Sequence, residues 1–326
     1  MMATVNCIAP EKIRTIAVIG TGSVGASWAS LFLAKGIQVN AYDKHPDAKL
    51  KTEEFIQAAW PALYELGVTS LVQPDLDLLR FDSTITDAVK GADLVQENVY
   101  EDLALKSEVL KEIESGIADD TLIISSTGGI PPTSLQQACR HPGRFVVLHP
   151  FNPSHLIPLV EVVAGEKTAP EVVEWAMNFS RYLGKEPVHV KLERSGHLTN
   201  RLQFALVKEA VACLMEGVAS ARDIDRAVRF GLAPRWMLMG SLLTLHMAGG
   251  KGGMKGILDH AGPAIESWWT PSVVPKLDES LIDMLEAISP EIASHQDVHD
   301  WIQWRDQQLV NVLKLQAQSQ ISEPQE

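Results

Sequence analysis

The sequence has few cysteines, few basic side chains and no long apolar run. Its three cysteines, Cys7, Cys139 and Cys213, are widely spaced and odd in number. They predict neither a disulfide framework nor a metal cluster, so we expect a reducing compartment and no bound metal. Lys and Arg number 28 against 41 Asp and Glu, a net charge of −13. This charge argues against nucleic acid or an anionic membrane as the main partner, because both bind basic surfaces.

No apolar run approaches the length of a membrane span, and the N-terminus has no basic region followed by an apolar core. We therefore expect a cytoplasmic protein whose partner is a small molecule. At 326 residues the chain is long enough for two domains, each with a core of its own.

The first part of the chain contains a strand, a glycine-rich loop, a helix, a second strand and an acid, in that order. A β-rich run from Lys12 to Ile19 leads into the sequence Gly-Thr-Gly-Ser-Val-Gly of residues 20–25. Apolar residues at helical spacing follow, and Asp43 comes after a second β-rich run, 18 residues beyond the last glycine of the loop. A glycine motif alone is weak evidence, but a strand before it and a helix, a strand and an acid after it predict a dinucleotide-binding site.

Each glycine of this loop has a distinct expected role. Gly20 permits the tight turn, Gly22 lets the backbone approach a pyrophosphate, and Gly25 lets the helix pack closely on the strand. Ser23 and Val24 complete the loop at the helix N-terminus, where free amides and the positive end of the helix dipole favour an anion.

Asp43 is expected to bind the ribose hydroxyls and to repel a 2′-phosphate, which favours NAD over NADP. The alternative is a glycine-rich turn that binds no nucleotide.

Strands alternate with helical patterns as far as residue 195, and helical patterns alone follow. The alternation predicts an α/β fold with a Rossmann-type, doubly wound, mainly parallel sheet over residues 1–195. Residues 196–326, whose helical patterns are interrupted by glycine and proline, are expected to form an all-α domain.

A histidine and a glutamate stand on two apolar runs near the middle of the chain. The run that starts at Arg144 reads as a buried strand ending on His149, and the run Leu159–Val163 reads as a second strand that carries Glu161. Prolines make the connection stiff. Such a pair can supply a general base and the carboxylate that orients it. The alternative is a hydrogen-bonded loop histidine, with Glu161 capping a backbone group or paired to a distant arginine.

Together with Asn200-Arg-Leu202, the segments His149–Pro153 and Pro158–Val163 resemble the signature of the 3-hydroxyacyl-CoA dehydrogenase superfamily. The resemblance extends over nearly the whole chain. Residues 229–240 and 243–250 resemble the short-substrate branches, carnitine 3-dehydrogenase and gulonate 3-dehydrogenase, and the carnitine branch more closely.

The resemblance implies a hydride transfer between C3 of a 3-hydroxy substrate and NAD. His149 would be the acid–base residue, Glu161 would fix its tautomer, and Asn200 would hydrogen-bond the substrate. The resemblance also implies a homodimer that pairs through the helical domain.

Three further positions, Glu101, Lys106 and Asn152, match residues that contact NAD in the family. Without the resemblance, Glu101 and Lys106 would equally suit a solvated helix start of mixed charge.

One position departs from the family pattern. The family has a serine that touches both substrate and cofactor where this chain has Gly128, within Ser125-Ser-Thr-Gly-Gly129. Loss of a transition-state hydrogen bond there can cost on the order of 10² or more in rate. Three explanations are open. Either Thr127 or a water replaces the missing hydroxyl, or the substrate differs from that of the family, or turnover is weak.

The substrate is expected to be a small 3-hydroxy acid such as carnitine. Residues 52–79 contain no Lys or Arg and five acids, which disfavours the phosphates of coenzyme A in the region where the family binds them. An aromatic cage for a quaternary ammonium could include Trp236, Trp268 and Trp269, although such aromatics also suit a helical core. The alternatives are a 3-hydroxyacyl or 3-oxoacyl thioester, possible in a specialised biosynthetic pathway, and an NAD-binding protein with little turnover.

Overall fold

The computed structural model describes residues 5–269, 273–293 and 297–318. The chain divides into two compact units, Met1–Arg201 and Leu202–Glu326. The division falls a few residues beyond the predicted boundary at 195/196, so Asn200 belongs to the first unit. The end of the predicted helical domain, residues 319–326, lies outside the described residues.

The first unit is built on one eight-stranded sheet with the strand order β3-β2-β1-β4-β5-β6-β7-β8. The strands are β1 Thr15–Ile19, β2 Gln38–Tyr42, β3 Leu79–Phe81, β4 Leu94–Glu97, β5 Leu122–Ser125, β6 Phe145–Pro150, β7 Leu159–Val163 and β8 Glu186–Val190. Every neighbouring pair is parallel except β6 and β7, which run antiparallel. The predicted mainly parallel sheet is confirmed.

Helices cover both faces of this sheet. They are α1 Ser23–Ala34, α2 Ala48–Glu65, α3 Ile85–Val89, α4 Leu103–Gly116, α5 Pro132–Gln136 and α6 Pro170–Tyr182. Successive side chains of β1 enter two different apolar clusters: Ile16 and Val18 lie in one, and Ala17 and Ile19 lie in the other. Since side chains alternate across a strand, the sheet is buried on both sides, as a doubly wound fold requires.

The second unit is helical in the residues that the structure describes. Its helices are α7 Thr199–Met215, which begins in the first unit, α8 Ala221–Ala227, α9 Ala233–Ala248, α10 Gly253–Trp268, α11 Glu279–Ala293 and α12 Val298–Gln318. This agrees with the predicted all-α region. Few of its apolar side chains are buried, among them Leu281 and Val310, whereas many large ones are exposed.

Within the described residues, no helix is both long and apolar enough to cross a membrane.

Candidate active site

A cavity of about 660 Å³ opens in the first unit at the carboxyl ends of β1, β2 and β4. These strands are parallel neighbours, so the loops that follow them meet at one edge of the sheet, where such folds bind ligands. Several of the predicted cofactor residues line the cavity, namely Gly20, Gly22, Ser23, Val24, Asp43, Glu101 and Lys106.

The glycine loop fits a pyrophosphate. Gly20 has φ +87°, and a Cβ there would lie 2.9 Å from the backbone of Asn98. A Cβ on Gly25 would lie only 1.9 Å from the carbonyl oxygen of Gly20, whereas one on Gly22 would meet no atom within 4 Å. The loop is therefore close-packed on one side and open on the other.

Helix α1 begins directly after this loop with an uncapped N-terminus. No side chain caps the helix at Gly22, and its first turn contains no acidic residue. The first-turn amides and the positive dipole end are therefore suited to an anionic ligand.

Asp43 stands just after β2 and has contacts with the glycine loop. Its Oδ2 accepts a hydrogen bond from the Thr21 amide at 2.8 Å, and its Oδ1 accepts one from the His45 amide at 2.9 Å. These amides fix the carboxylate at the cavity wall, and its remaining lone pairs can accept from ribose hydroxyls.

Lys106 is buried, and its ammonium binds groups of the protein itself. Its Nζ lies 2.9 Å from Oε1 of Glu97 and 2.8 Å from the carbonyl oxygen of Val99. Glu97, at the end of β4, is fully buried and also accepts from the Ser125 hydroxyl at 2.5 Å. Sequence reasoning missed Glu97. The signal that could have identified it is an acidic residue at the end of a buried strand, nine residues before Lys106.

Glu101 holds the loop that follows β5. Its Oε1 accepts from the Thr127 hydroxyl at 2.7 Å and from the amides of Gly128 and Gly129 at 3.1 and 2.9 Å. Its Oε2 lies 3.7 Å from Nζ of Lys106. Residues 127–129, called the 127–129 loop below, are therefore fixed by a carboxylate at the cavity wall.

His149 and Glu161 form a buried pair. Nδ1 of His149 lies 2.9 Å from Oε2 of Glu161. The other oxygen, Oε1, accepts from the amides of Leu198 and Thr199 at 3.2 and 2.6 Å. Burial raises the pKa of Glu161, but the hydrogen bonds from His149 and Thr199 outweigh burial, and the pKa lies below its ordinary value. The carboxylate is therefore ionised at neutral pH and directs Nε2 of His149 away from itself.

Nε2 of His149 and the side-chain amide of Asn200 face the same space. A Cβ built on Gly128 would lie 3.2 Å from Nε2 of His149 and 3.6 Å from Nδ2 of Asn200. The same Nδ2 donates to the Gly128 carbonyl oxygen at 2.9 Å. Because residue 128 is glycine, the space between the imidazole and the amide is not filled by a side chain.

Two predicted site residues do not line this cavity. Asn152 is exposed and lies on the connection between β6 and β7, three residues after His149. Trp236 is half-buried on α9 in the second unit. In the part of the chain that the structure describes, no ring contact joins Trp236 to Trp268 or Trp269, which are 69% and 75% exposed. The predicted aromatic cage stays a prediction.

Sequence reasoning also missed His197, which is buried against the pair. Its ring centroid lies 5.5 Å from that of His149, and its Nε2 is 3.1 Å from the carbonyl oxygen of Thr127. Its position three residues before Asn200 was a signal that could have drawn attention to it.

No group of three or more His, Cys, Asp or Glu side chains suited to a metal ion occurs among the residues described. The three cysteines are free thiols.

The doubly wound sheet, the glycine loop and the acid after β2 define the class of dinucleotide-dependent oxidoreductases. The family model for the NAD-binding domain of 3-hydroxyacyl-CoA dehydrogenase matches residues 15–193, and the model for the C-terminal domain matches residues 196–280. The chain belongs to the 3-hydroxyacyl-CoA dehydrogenase family. It is an NAD-dependent 3-hydroxy acid dehydrogenase, as the sequence predicted.

Curated relatives agree over most of the chain. An L-carnitine dehydrogenase of Streptomyces griseus is 42% identical over 306 residues, which cover 94% of this chain and 91% of the relative. One of Bacillus cereus is 38% identical over 315 residues, 96% of each chain.

Solved structures of related enzymes share the fold. A 5-formyl-3-hydroxy-2-methylpyridine 4-carboxylic acid 5-dehydrogenase, described as an NAD+-dependent dismutase, superposes with a TM-score of 0.82 at 32% identity. The match covers 94% of this chain and all of that one. The 3-hydroxybutyryl-CoA dehydrogenase of Escherichia coli K12 gives a TM-score of 0.62 at 30% identity over 80% of this chain and 55% of that one.

Proposed function

We propose that the protein oxidises the 3-hydroxyl group of a small, carnitine-like 3-hydroxy acid, with His149 as the acid–base residue. The observation that carries the proposal is the arrangement of His149, Glu161 and Asn200. Nδ1 of His149 is held by a carboxylate, and Nε2 shares an open space with the Asn200 amide. An alcohol oxygen in that space can give its proton to Nε2 while it accepts a hydrogen bond from Asn200.

In this arrangement His149 takes the hydroxyl proton at Nε2 and becomes an imidazolium. Glu161 stabilises that charge through the bond at Nδ1 and keeps Nε2 free to act as a base. NAD, when bound, supplies the group that accepts the hydride from C3. Gly128 leaves the space needed for the substrate oxygen, and Thr127 and Glu101 hold the backbone beside it.

The residues proposed to hold NAD fall into two groups. The first comprises the pyrophosphate loop and the ribose-binding acid, namely Gly20, Gly22, Ser23, Val24, Gly25 and Asp43. The second group is expected nearer the nicotinamide and comprises Glu101, Lys106 and Asn152. Lys106 would act from its fixed position beside Glu97, because its ammonium is buried.

Two observations support a carnitine-like substrate, namely the names of the curated relatives and the lack of basic side chains in residues 52–79. The curated relatives named L-carnitine dehydrogenase are similar over more than nine-tenths of the chain. Residues 52–79, which include most of α2, contain no Lys or Arg to bind the phosphates of coenzyme A. Trp236 is proposed as a contact for the substrate's ammonium.

A thioester substrate is the second candidate, because 3-hydroxybutyryl-CoA dehydrogenase shares the fold at 30% identity. The two candidates are separated by following the absorbance of reduced nicotinamide with NAD and a panel of carnitine, gulonate and 3-hydroxybutyryl-CoA. We expect the highest kcat/KM with carnitine. Turnover of the thioester alone would replace the small-acid proposal.

The role of His149 is tested with His149→Ala. Loss of a general base should lower kcat by roughly 10² to 10⁴ while NAD affinity, followed by titration calorimetry, stays near that of the native protein. His189→Ala, which removes an exposed histidine of β8, is the control and should keep native turnover. Retained turnover in His149→Ala would overturn the assignment.

We also propose a homodimer that pairs through the helical unit. Its exposed apolar side chains, such as Phe204, Leu242 and Trp268 at 58, 70 and 69% exposure, support a partner surface. Light scattering after size exclusion should give twice the 35.7 kDa of one chain. A single-chain mass at all micromolar concentrations would refute it.

We further propose a cytoplasmic location, which the three free thiols support. Detection of the protein in the membrane or secreted fraction of its cells would contradict it.

A further inference from the structure

His197 lies beside His149 and has no part in the proposed proton transfer. Its side chain is fully buried. Its backbone φ is +46°, and it is the one non-glycine residue with positive φ among those that the structure describes. This conformation is disfavoured for residues with a Cβ, and it persists where the surrounding structure fixes it, often at functional sites.

The contacts of His197 belong to a set that holds the 127–129 loop. The three successive carbonyl oxygens of this loop each accept one hydrogen bond from the segment 196–200. In chain order, the donors are Nε2 of His197 at 3.1 Å, Nδ2 of Asn200 at 2.9 Å and the amide of Gly196 at 3.1 Å. Glu101 binds the amides of the same loop from the other side. The backbone that borders Nε2 of His149 is therefore fixed on both sides.

The tautomer of His197 follows from its partner. A carbonyl oxygen only accepts, so Nε2 of His197 carries the hydrogen, whereas Nδ1 is buried with no hydrogen-bond partner among the described residues. Burial lowers the pKa of His197, and a charge on His149 lowers it further. The bond to Thr127 and the carboxylates of Glu161 and Glu101 oppose this shift without reversing it. The ring is a neutral, fixed donor.

We propose that His197 is a positioning residue that holds the 127–129 loop against the reacting face of His149 through its bond to the Thr127 carbonyl. The proposal rests on the role of His149 proposed above. Without this bond the Gly128 backbone could move into the space between His149 and Asn200, where the substrate oxygen is expected.

Two variants separate the hydrogen bond from the shape of the ring. His197→Phe keeps a planar ring and removes the donor, whereas His197→Gln keeps a donor nitrogen and removes the ring. If the bond matters, His197→Phe should lower kcat about tenfold, as loss of one neutral hydrogen bond allows. His197→Gln should recover kcat to within roughly threefold of native, and NAD affinity should be unchanged in both.

A residue that only fills space would give the reverse order, with His197→Phe close to native and His197→Gln impaired. That order, or native kcat in His197→Phe, would overturn the proposal. His149→Ala is measured in parallel. If it keeps turnover, the proposed function and this inference both fail, whereas an inactive His149→Ala beside a normal His197→Phe would defeat the inference alone.

Nuclear magnetic resonance of the native full-length protein tests the same bond even if a variant fails to fold. With ¹⁵N-labelled histidine, nine of the ten histidine signals are assigned by substituting the other histidines one at a time, and the remaining signal belongs to His197. At neutral pH we expect a hydrogen on Nε2 and none on Nδ1, because the carbonyl of Thr127 only accepts and the pKa of His197 lies below its ordinary value. A hydrogen on Nδ1 would overturn the proposal.

Discussion

His149 and Glu161 are direct partners across the antiparallel strands β6 and β7. Their side chains meet because opposite residues of paired strands point to the same face of the sheet. The spacing of 12 residues in the sequence thus becomes a bond of 2.9 Å between Nδ1 and Oε2. Both groups stand on hydrogen-bonded strands, so their geometry is set by the sheet.

Glu161→Gln should disable the base while it keeps the shape of the site. The amide oxygen can still accept from Leu198 and Thr199, which leaves the NH₂ group facing Nδ1 of His149. Nδ1 must then accept, so the hydrogen moves to Nε2 and blocks proton abstraction. We expect kcat to fall by roughly 10² to 10⁴, as for other carboxylate–histidine pairs that lose the correct tautomer.

Steady-state kinetics checks this expectation, with Glu166→Gln as the control because Glu166 is exposed. A Glu161→Gln enzyme with near-native kcat would show that the tautomer is fixed by another group.

Gly128→Ser should reduce turnover of the native substrate. The φ of Gly128 is not positive, so the backbone accepts a side chain, but its Cβ would lie 3.2 Å from Nε2 of His149. The new side chain would enter the space expected to receive the substrate oxygen. We expect kcat/KM to fall about tenfold or more, equivalent to at least ~1.4 kcal/mol.

Gly128→Ala separates the bulk of the new side chain from the effect of its hydroxyl. Both variants should have a lower kcat/KM than the native protein. Gly143→Ala is the control, because Gly143 lies just before β6, at the end of that strand away from His149. A Cβ on Gly143 would make only ordinary contacts, the nearest at 3.5 Å, so kcat/KM should be native. A rise in turnover with serine but not with alanine would show that the reaction uses a hydroxyl there.

Asp43→Asn should weaken the preference for NAD over NADP. The asparagine oxygen can keep one of the amide contacts to Thr21 or His45, but the negative charge that repels a 2′-phosphate is lost. We expect the ratio of kcat/KM values for the two cofactors to change about tenfold in favour of NADP. Asp47→Asn, in the same connection before α2, is the control. An unchanged ratio would refute the ribose assignment of Asp43.

Lys185 should make stability depend on pH above neutrality. Its ammonium is buried, donates to the carbonyl oxygens of Ser154 and Ile157, and lies 5.8 Å from the centre of the Trp28 ring. Burial lowers the pKa of Lys185 from 10.5 to about 7. Between these values the unfolded chain binds a proton that the folded chain does not, so raising the pH favours the folded state.

The free energy of unfolding of the native protein should therefore rise between about pH 7 and pH 10.5 relative to that of Lys185→Met. The relative slope should be at most about 1.4 kcal/mol per pH unit. Urea denaturation followed by circular dichroism at several pH values measures it, with Lys191→Met as an exposed-lysine control. Parallel curves for the native protein and Lys185→Met would contradict the expectation.

Local patterns made the dinucleotide-binding half of the fold predictable. The glycines at 20, 22 and 25 act through backbone geometry within a few residues, and Asp43 follows a strand whose position the alternation fixes. His149 and Glu161 could be paired in advance because two apolar runs joined by a short, stiff connection suit neighbouring strands.

Contacts between distant segments could not be predicted in the same way. The bond between Lys106 and Glu97 depends on which strand end lies under α4, and the contacts of Glu101 depend on where the 127–129 loop falls. The position of His197 depends on its positive φ, and a sequence does not predict a positive φ at residues other than glycine. The apolar pattern of the helical unit likewise does not distinguish a core face from a face that binds a partner.

The strands that carry His149 and Glu161 are separate from the loop that carries Gly128. Replacing residue 128 changes the shape of the substrate space without altering the register that joins β6 to β7. A substitution at position 128 can therefore change which substrate is accepted while the bond between His149 and Glu161 is kept. Enzymes on this scaffold are expected to diverge in what they oxidise long before they diverge in how they oxidise it.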